Sequence, residues 1–308
     1  MRFLVVPQWQ GSRSARAMRL ADGAEAIRGD LPSSATTVID VPLEAGDERG
    51  TGVHRFGSVQ IVRDRIVEAL ASGTDVALTV GGDCGVEAGA VDHALRQHPD
   101  TAVVWFDAHP DLNTPESSPS GAFTGMVLRT LLGDGPAPLV PTTPLAASRV
   151  VLAGARDLDA GEEEFLDAAG IRVVGPEAFE NTAQFENTAQ FENTAQVPRE
   201  AAPADGAAPN TAPGTGGEHP LVAAVRATGA ASVYVHIDVD VLDPAELDGI
   251  DAPVPFGLTA AQLVAAIRAL REAFPLAGAG LCMFAPASVD DTAGDLGVLL
   301  RVIGALAR

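Results

Sequence analysis

The residue types best suited to chemistry in this chain fall in two clusters, Asp107-Ala108-His109-Pro110-Asp111 and His236-Ile237-Asp238-Val239-Asp240-Val241-Leu242-Asp243-Pro244. Each follows an apolar run, 101–106 and 231–235, that reads as a buried strand, so the polar groups come where a strand ends. Alternation along an extended chain puts Asp107, His109 and Asp111 on one side if that conformation persists, and Asp238 with Asp240 likewise. Carboxylates and an imidazole then converge at one sheet edge. So many negative charges share a buried site only with cations, and a donor set of oxygens with one nitrogen favours manganese-like ions over a structural zinc. The alternative is two unrelated acidic strand-to-loop junctions, since Asp commonly opens turns.

The elements that must carry these clusters are legible as apolar runs at 3–6, 37–41, 76–80, 102–106, 150–153, 171–174, 232–237 and 278–284. Between most of them lie stretches with helical spacing at 58–71, 85–97, 162–169 and 260–273, the last opened by Thr259 as an N-cap. Continuous rather than alternating strands, separated by helices, predict a mainly parallel sheet covered on both faces, a three-layer α/β/α architecture. Ligands of such sheets bind beyond the carboxyl ends of the strands, where both clusters lie.

The chain has 308 residues, 46% of them hydrophobic and 20% charged, enough for a large core. Its net charge is −21, with no Lys and every fixed positive charge on Arg, which argues against nucleic acid or an anionic membrane as partner. Residues 1–6 read as a first strand rather than a signal sequence, and no apolar run reaches membrane-spanning length. With only Cys84 and Cys282, a reducing cytoplasm is the expected compartment. One region breaks the pattern. Residues 179–196 are three tandem copies of Phe-Glu-Asn-Thr-Ala-Gln, running into a Pro-, Gly- and Ala-rich tract at 197–220. So short a repeat suits no solenoid of helical units, and 179–220 reads as a low-complexity surface insertion, without chemistry, within a single domain spanning 1–308.

Taken together the motifs resemble those of the arginase (ureohydrolase) family. Gly81-Gly82-Asp83-Cys84-Gly85 is similar to the family's Gly-Gly-Asp-His-Ser, residues 107–111 to its Asp-Ala-His-x-Asp, and residues 238–244 to its Asp-x-Asp-x-x-Asp-Pro. The resemblance implies the arginase/deacetylase fold, two divalent metal ions, manganese foremost, and hydrolysis of guanidino groups. It also implies a homo-oligomer, trimer or hexamer. One metal would take Cys84, Asp107, Asp111 and Asp238, and the other Asp107, His109, Asp238 and Asp240. Asp111 would carry a proton to the departing amine. Two ions acidify a shared water and hold the charge that develops on attack at a resonance-stabilised carbon. Residues 113–121 resemble the loop that holds a substrate carboxylate, with Asn113 and Ser120 at its contact positions; the other reading is turn chemistry. Residues 154–162 resemble the segment that reads an α-ammonium, through Asp159 and Glu162; Asp159 also reads as a helix N-cap.

Three departures stand out. Cys84, a softer donor, replaces the family's first metal His, which shifts that position towards zinc, cobalt or iron or leaves it weakly filled; a cysteine here resembles that of the family's hydroxyarginine hydrolases, so the replacement does not itself imply a dead site, and a buried small residue is the other reading. Thr124 stands where many arginases have a His that shuttles protons, and Met283 where the family has a Glu that grips the guanidinium. His236 lies on the face of Asp238, beneath the metals, as a core or supporting histidine or a substitute proton shuttle. The remaining histidines, His54, His93, His98 and His219, read as surface residues. The function these features imply is hydrolysis of a linear amidine C–N bond in a guanidino or amidino substrate such as arginine or N-hydroxyarginine, releasing urea or hydroxyurea. N-hydroxyarginine, which depends less on a carboxylate clamp, fits better than arginine. The alternative is a weak or inactive homologue kept as a binding or oligomerisation partner.

Overall fold

Every apolar run becomes a strand. The computed structural model describes residues 1–73, 75–180, 218–288 and 292–307. Its strands are β1 (Arg2–Val6), β2 (Thr36–Val38), β3 (Ala77–Gly81), β4 (Thr101–Phe106), β5 (Val150–Ala153), β6 (Arg172–Val174), β7 (Ser232–Asp238) and β8 (Leu276–Cys282). They form one all-parallel sheet in the order β2-β1-β3-β8-β7-β4-β5-β6. β4, β7 and β8 are buried at every residue, which is why their sequences are continuous rather than alternating.

Two strands differ from expectation. The run at 37–41 yields pairing only to Val38, because this edge strand has β1 alone as partner and β1 ends at Val6. The run at 278–284 starts earlier and stops at Cys282, because Met283 turns into the left-handed region at φ +69°.

The helices are α1 (Met18–Arg28), α2 (Phe56–Ala71), α3 (Glu87–Gln97), α4 (Val127–Leu131), α5 (Ala160–Ala169), α6 (Pro220–Arg226), α7 (Ala260–Ala273) and α8 (Ala293–Ala307). α2, α3 and α4 pack on one another, as do α1, α6, α7 and α8, and the two sets flank the sheet in three layers. Thr259 caps α7 as expected: its hydroxyl accepts from the Gln262 N–H at 3.2 Å, and the Gln262 side chain accepts from the Thr259 N–H at 2.8 Å. α1, α4, α6 and α8 were not among the predicted helices. Among the described residues no helix is long and apolar enough to cross a membrane.

The insertion needs a correction at its edges. Phe179 closes a 3₁₀ turn, Pro176–Phe179, and is fully buried. Its ring lies 6.4 Å from Phe106 and 5.9 Å from His219, which is itself buried rather than on the surface. The Phe of the first repeat is thus a core residue. The remainder of the insertion, residues 181–217, lies outside the described residues.

Candidate metal centre and substrate cavity

The carboxyl ends of four adjacent strands, β3, β8, β7 and β4, supply the site. Cys84 follows β3, Met283 follows β8, Asp238 ends β7 with Asp240 just beyond, and Asp107, His109 and Asp111 follow β4.

The side chains converge, but not through strand alternation. β4 stops at Phe106, and Asp111 sits at φ +53°. Each cluster instead folds on its leading Asp. Asp107 Oδ1 accepts from the His109 N–H at 2.7 Å, and Asp238 Oδ1 accepts from the Asp240 N–H at 2.8 Å, opening a 3₁₀ turn over Val239–Val241. Asp83 makes the same bond to Gly85 at 2.8 Å. For Asp107 and Asp238 the turn reading and the ligand reading therefore meet in one side chain: one oxygen shapes the loop while the other turns inward, where Asp107 Oδ2 accepts from Trp105 Nε1 at 3.1 Å and Asp238 Oδ2 from the Cys84 thiol at 3.3 Å.

Cross-links between the loops complete the cluster. His109 Nδ1 lies 2.9 Å from Asp240 Oδ2 and 3.5 Å from Asp107 Oδ1, and the Ala108 N–H donates to Asp240 Oδ1 at 3.0 Å. The Cys84 thiol donates to Asp238 Oδ2 at 3.3 Å. Among the described residues three groups of donor atoms lie close enough to share an ion: Cys84 with Asp107 and His236, Asp107 with His109 and Asp240, and Glu87 with His236 and Cys282. Asp107 belongs to the first two.

The electrostatics of this arrangement call for cations. Burial, then the charge of Asp240, raises Asp107 to about 6, while burial pushes Asp111 and Asp238 well above the usual carboxylate range, with neighbouring carboxylates adding to it. Burial opposes charge on His109, but its bonds to Asp107 and Asp240 outweigh this and push it up to about 12. Asp111 Oδ2 is buried without a hydrogen-bond partner. An orphaned carboxylate oxygen beside three other acids fits a centre that holds divalent ions.

A cavity of about 370 Å³ opens onto these groups. His109, Asp111, Asp238 and Asp240 line it, and so do the expected substrate residues Asn113, Ser120, Thr124, Asp159, Glu162 and Met283. Several of these also hold the loops. Asn113 Nδ2 donates to Asp159 Oδ2 at 2.9 Å and its Oδ1 accepts from Ser117 at 2.8 Å. Glu162 accepts from the N–H groups of Leu112 at 3.0 Å and Asp159 at 2.9 Å, so it ties the start of α5 to the Asp111 loop. Cys84, Asp107 and His236 lie behind the cavity wall, and His236 is fully buried.

Sequence reasoning passed over Ser12, Arg13 and Ser14, which also line the cavity. Asp83 brings them there: it accepts from Gln8 Nε2 at 2.7 Å and from the Gly11 N–H at 2.8 Å, drawing the loop after β1 towards β3. A side chain at Gly82 would meet the Gln8 carbonyl oxygen at 2.0 Å, so this close approach requires the second glycine of the motif. Asp157, 3.5 Å from His109 Nε2, and Asp251, bonded by Ser14 at 2.9 Å, add further acids to the rim. Arg156 fastens the second cluster from behind, donating to the carbonyls of Asp240 at 2.7 Å and Val254 at 2.8 Å. Ser12, Arg13, Ser14 and Asp251 lie outside every motif, whereas Arg156 and Asp157 sit within the 154–162 segment, where only Asp159 and Glu162 were singled out.

Comparison with known proteins agrees with this geometry. A family profile described as "Arginase family" matches residues 15–221 and 217–296. An arginase of Staphylococcus aureus is 28% identical over 250 residues, covering 75% of this chain and 67% of that protein. An N(omega)-hydroxy-L-arginine amidinohydrolase of Streptomyces lavendulae is 30% identical over 249 residues, covering 79% and 72%. Among solved structures, an Entamoeba histolytica arginase in complex with L-ornithine superposes with a TM-score of 0.77 at 20% identity, covering 99% of this chain and 97% of that one, a likeness of fold. With a matching profile across most of its length and strand-end clusters in place, the chain belongs to the arginase family.

Proposed function

We propose that the protein hydrolyses the C–N bond of a guanidino group carried by a small amino-acid-like substrate, with N-hydroxyarginine or a similarly modified guanidine preferred over arginine. The observation that carries this is the convergence of Asp107, His109, Asp111, Asp238, Asp240 and Cys84 at four strand ends, opening into a cavity of about 370 Å³, a size suited to a small molecule. Two divalent ions held there would supply an acidified water nucleophile and stabilise the tetrahedral charge.

The chain's own residues do the rest. Asp107 lies within reach of both ion positions and spaces them. Asp111, whose Oδ2 has no hydrogen-bond partner, is the group to carry a proton to the departing nitrogen. Asn113 and Ser120, which line the cavity, would hold a substrate's carboxylate, and Asp159 and Glu162, which also line it, its ammonium. Met283 and Thr124 offer the guanidino end no carboxylate and no imidazole, which disfavours the strongly basic guanidinium of arginine.

The test combines metal analysis with product release from arginine, N-hydroxyarginine and agmatine. Stoichiometric metal, loss of both ions on Asp107→Ala, and fastest release from the hydroxylated amino acid are expected. A protein that holds no divalent metal and turns over none of the three would sink the proposal.

A further inference from the structure

The two halves of the centre do not offer the same chemistry. Around His109 the donors are one imidazole and carboxylate oxygens, a hard set suited to manganese. Behind the cavity wall, Cys84 Sγ lies 3.7 Å from His236 Nε2 and 3.3 Å from Asp238 Oδ2, and His236 Nε2 lies 4.0 Å from Asp107 Oδ2. A tetrahedral zinc, with bonds of about 2.3 Å to sulfur and about 2.0 Å to nitrogen and oxygen, holds its donors roughly 3.3–3.5 Å apart. The donor atoms of Cys84, Asp107 and His236 lie close enough together for a single ion to draw them in, and Asp238 Oδ2 reaches them through the Cys84 sulfur.

His236 is built to be such a ligand. The register of β4 with β7 sets it beside Trp105, and the two rings stack with centroids 3.6 Å apart. Its Nδ1 has no hydrogen-bond partner and lies 3.5 Å from Glu87 Oε1, which accepts from the Cys282 thiol at 3.7 Å, while Glu87 Oε2 accepts from the Tyr234 hydroxyl at 2.6 Å. A carboxylate behind one ring nitrogen keeps the proton there and turns the lone pair of the other towards a metal. Asp111 and Asp238 belong to none of the compact donor groups, and both line the cavity.

Resting on the two-ion reading above, we propose that His236 is a metal ligand. With Cys84 and Asp107 it forms a three-donor position for zinc or cobalt(II), whose tetrahedron Asp238 or a water completes, so the protein takes two different metals: a thiophilic ion at the Cys84–His236 end and a harder one at the His109 end. Ligation replaces the Cys84 thiol hydrogen, and one proton leaves to solvent for each ion bound.

Cobalt(II) added to the metal-free protein tests this without relying on turnover. The wild type should show a thiolate-to-cobalt charge-transfer band and strong visible bands of a tetrahedral ion. Cys84→Ser should lose the first. His236→Phe, which keeps the stack on Trp105, should retain the charge-transfer band, lose visible intensity and bind cobalt more than about 100-fold more weakly, beyond the roughly 10–100-fold that a merely orienting partner is worth. An unchanged visible spectrum with affinity within tenfold in His236→Phe overturns the assignment of His236 while leaving the two-ion reading intact; a wild type with no cobalt spectrum overturns both. Should His236→Phe fail to fold, zinc-edge X-ray absorption on His109→Asn loaded with one equivalent of zinc decides the matter. One sulfur and one imidazole are expected, and a zinc shell without imidazole sinks the proposal.

Discussion

On the proposed reading, Met283 and Thr124 would set what the cavity accepts. Both line it, and neither carries charge. A guanidinium buried there without a carboxylate loses a partner worth on the order of 3–5 kcal/mol, a slowing of roughly two to four powers of ten. Met283→Glu combined with Thr124→His should therefore raise urea release from arginine far more than either change alone, because both act on one substrate. Steady-state kinetics on arginine check this. Wild-type turnover equal to that of the double variant would mean that another acid already serves, and Asp251 on the cavity rim would be the first to examine.

At the scale of elements, Glu162 does two things at once: it caps α5 and braces the loop that carries Asp111. Glu162→Ala strips the acceptor from two N–H groups, one of them the buried N–H of Leu112, and should lower stability by about 1–3 kcal/mol. Denaturant melts measure the loss, and a fall in metal affinity should accompany it as the loop slackens. Unchanged stability would leave Glu162 with a purely substrate-facing role. The same region shows what a reader of the sequence can and cannot see. β4 and β7 were legible because strands buried on both faces are continuous apolar runs, and the ligands because their types and spacing are unusual at strand ends. α8 was not, since its run of Leu, Val, Ile and Ala is interrupted by glycines and has no clear polar face. The loop at residues 12–14 was invisible for another reason: Ser and Arg have no ligand signature, and only the reach of Asp83 to Gly11 brings them to the cavity. Alternation expected Asp107 and Asp238 to bring their clusters together along an extended chain, whereas the chain turns after each of them.

At the scale of the whole molecule, the acid cluster should govern how stability varies with pH. Asp107 is raised to about 6, with Asp111 and Asp238 raised further by burial, so the folded chain holds protons that the unfolded chain has released. Their contribution is full below the ordinary carboxylate range and is lost as pH climbs through about 6 and beyond. His109, raised to about 12, works in the same direction above its ordinary range. The metal-free protein should thus melt at progressively lower temperature between about pH 5 and about pH 8, and saturating divalent metal should flatten or reverse that slope. Calorimetry with and without chelator checks it; a metal-free melting point that rises over this range would contradict it. The packed pair at the edges of the insertion leads to a separate expectation. Phe179 and His219 rings sit 5.9 Å apart, so a few Gly and Ser residues can replace 181–217 without moving either end. Closure entropy changes slowly with loop length, and the excision should shift the melting temperature by only a degree or two. A collapse of folding would show that the excised segment packs.

The sheet order has one more consequence. β3 and β4 are consecutive along the chain, yet β8 and β7 lie between them. A chain emerging from synthesis can assemble one patch of β2, β1 and β3 and another of β4, β5 and β6 long before the two strands that join them exist. Asp107, His109 and Asp111 then wait at the rim of one patch and Cys84 at the rim of the other. Only when the closing strands wedge into the gap do the rims meet, with Asp238 and Asp240 arriving on the wedge itself. If the proposed metal pair is held here, its capture would signal finished assembly: an incomplete chain would lack one side of the site, and binding the ions would lock together halves that the backbone leaves to be joined last.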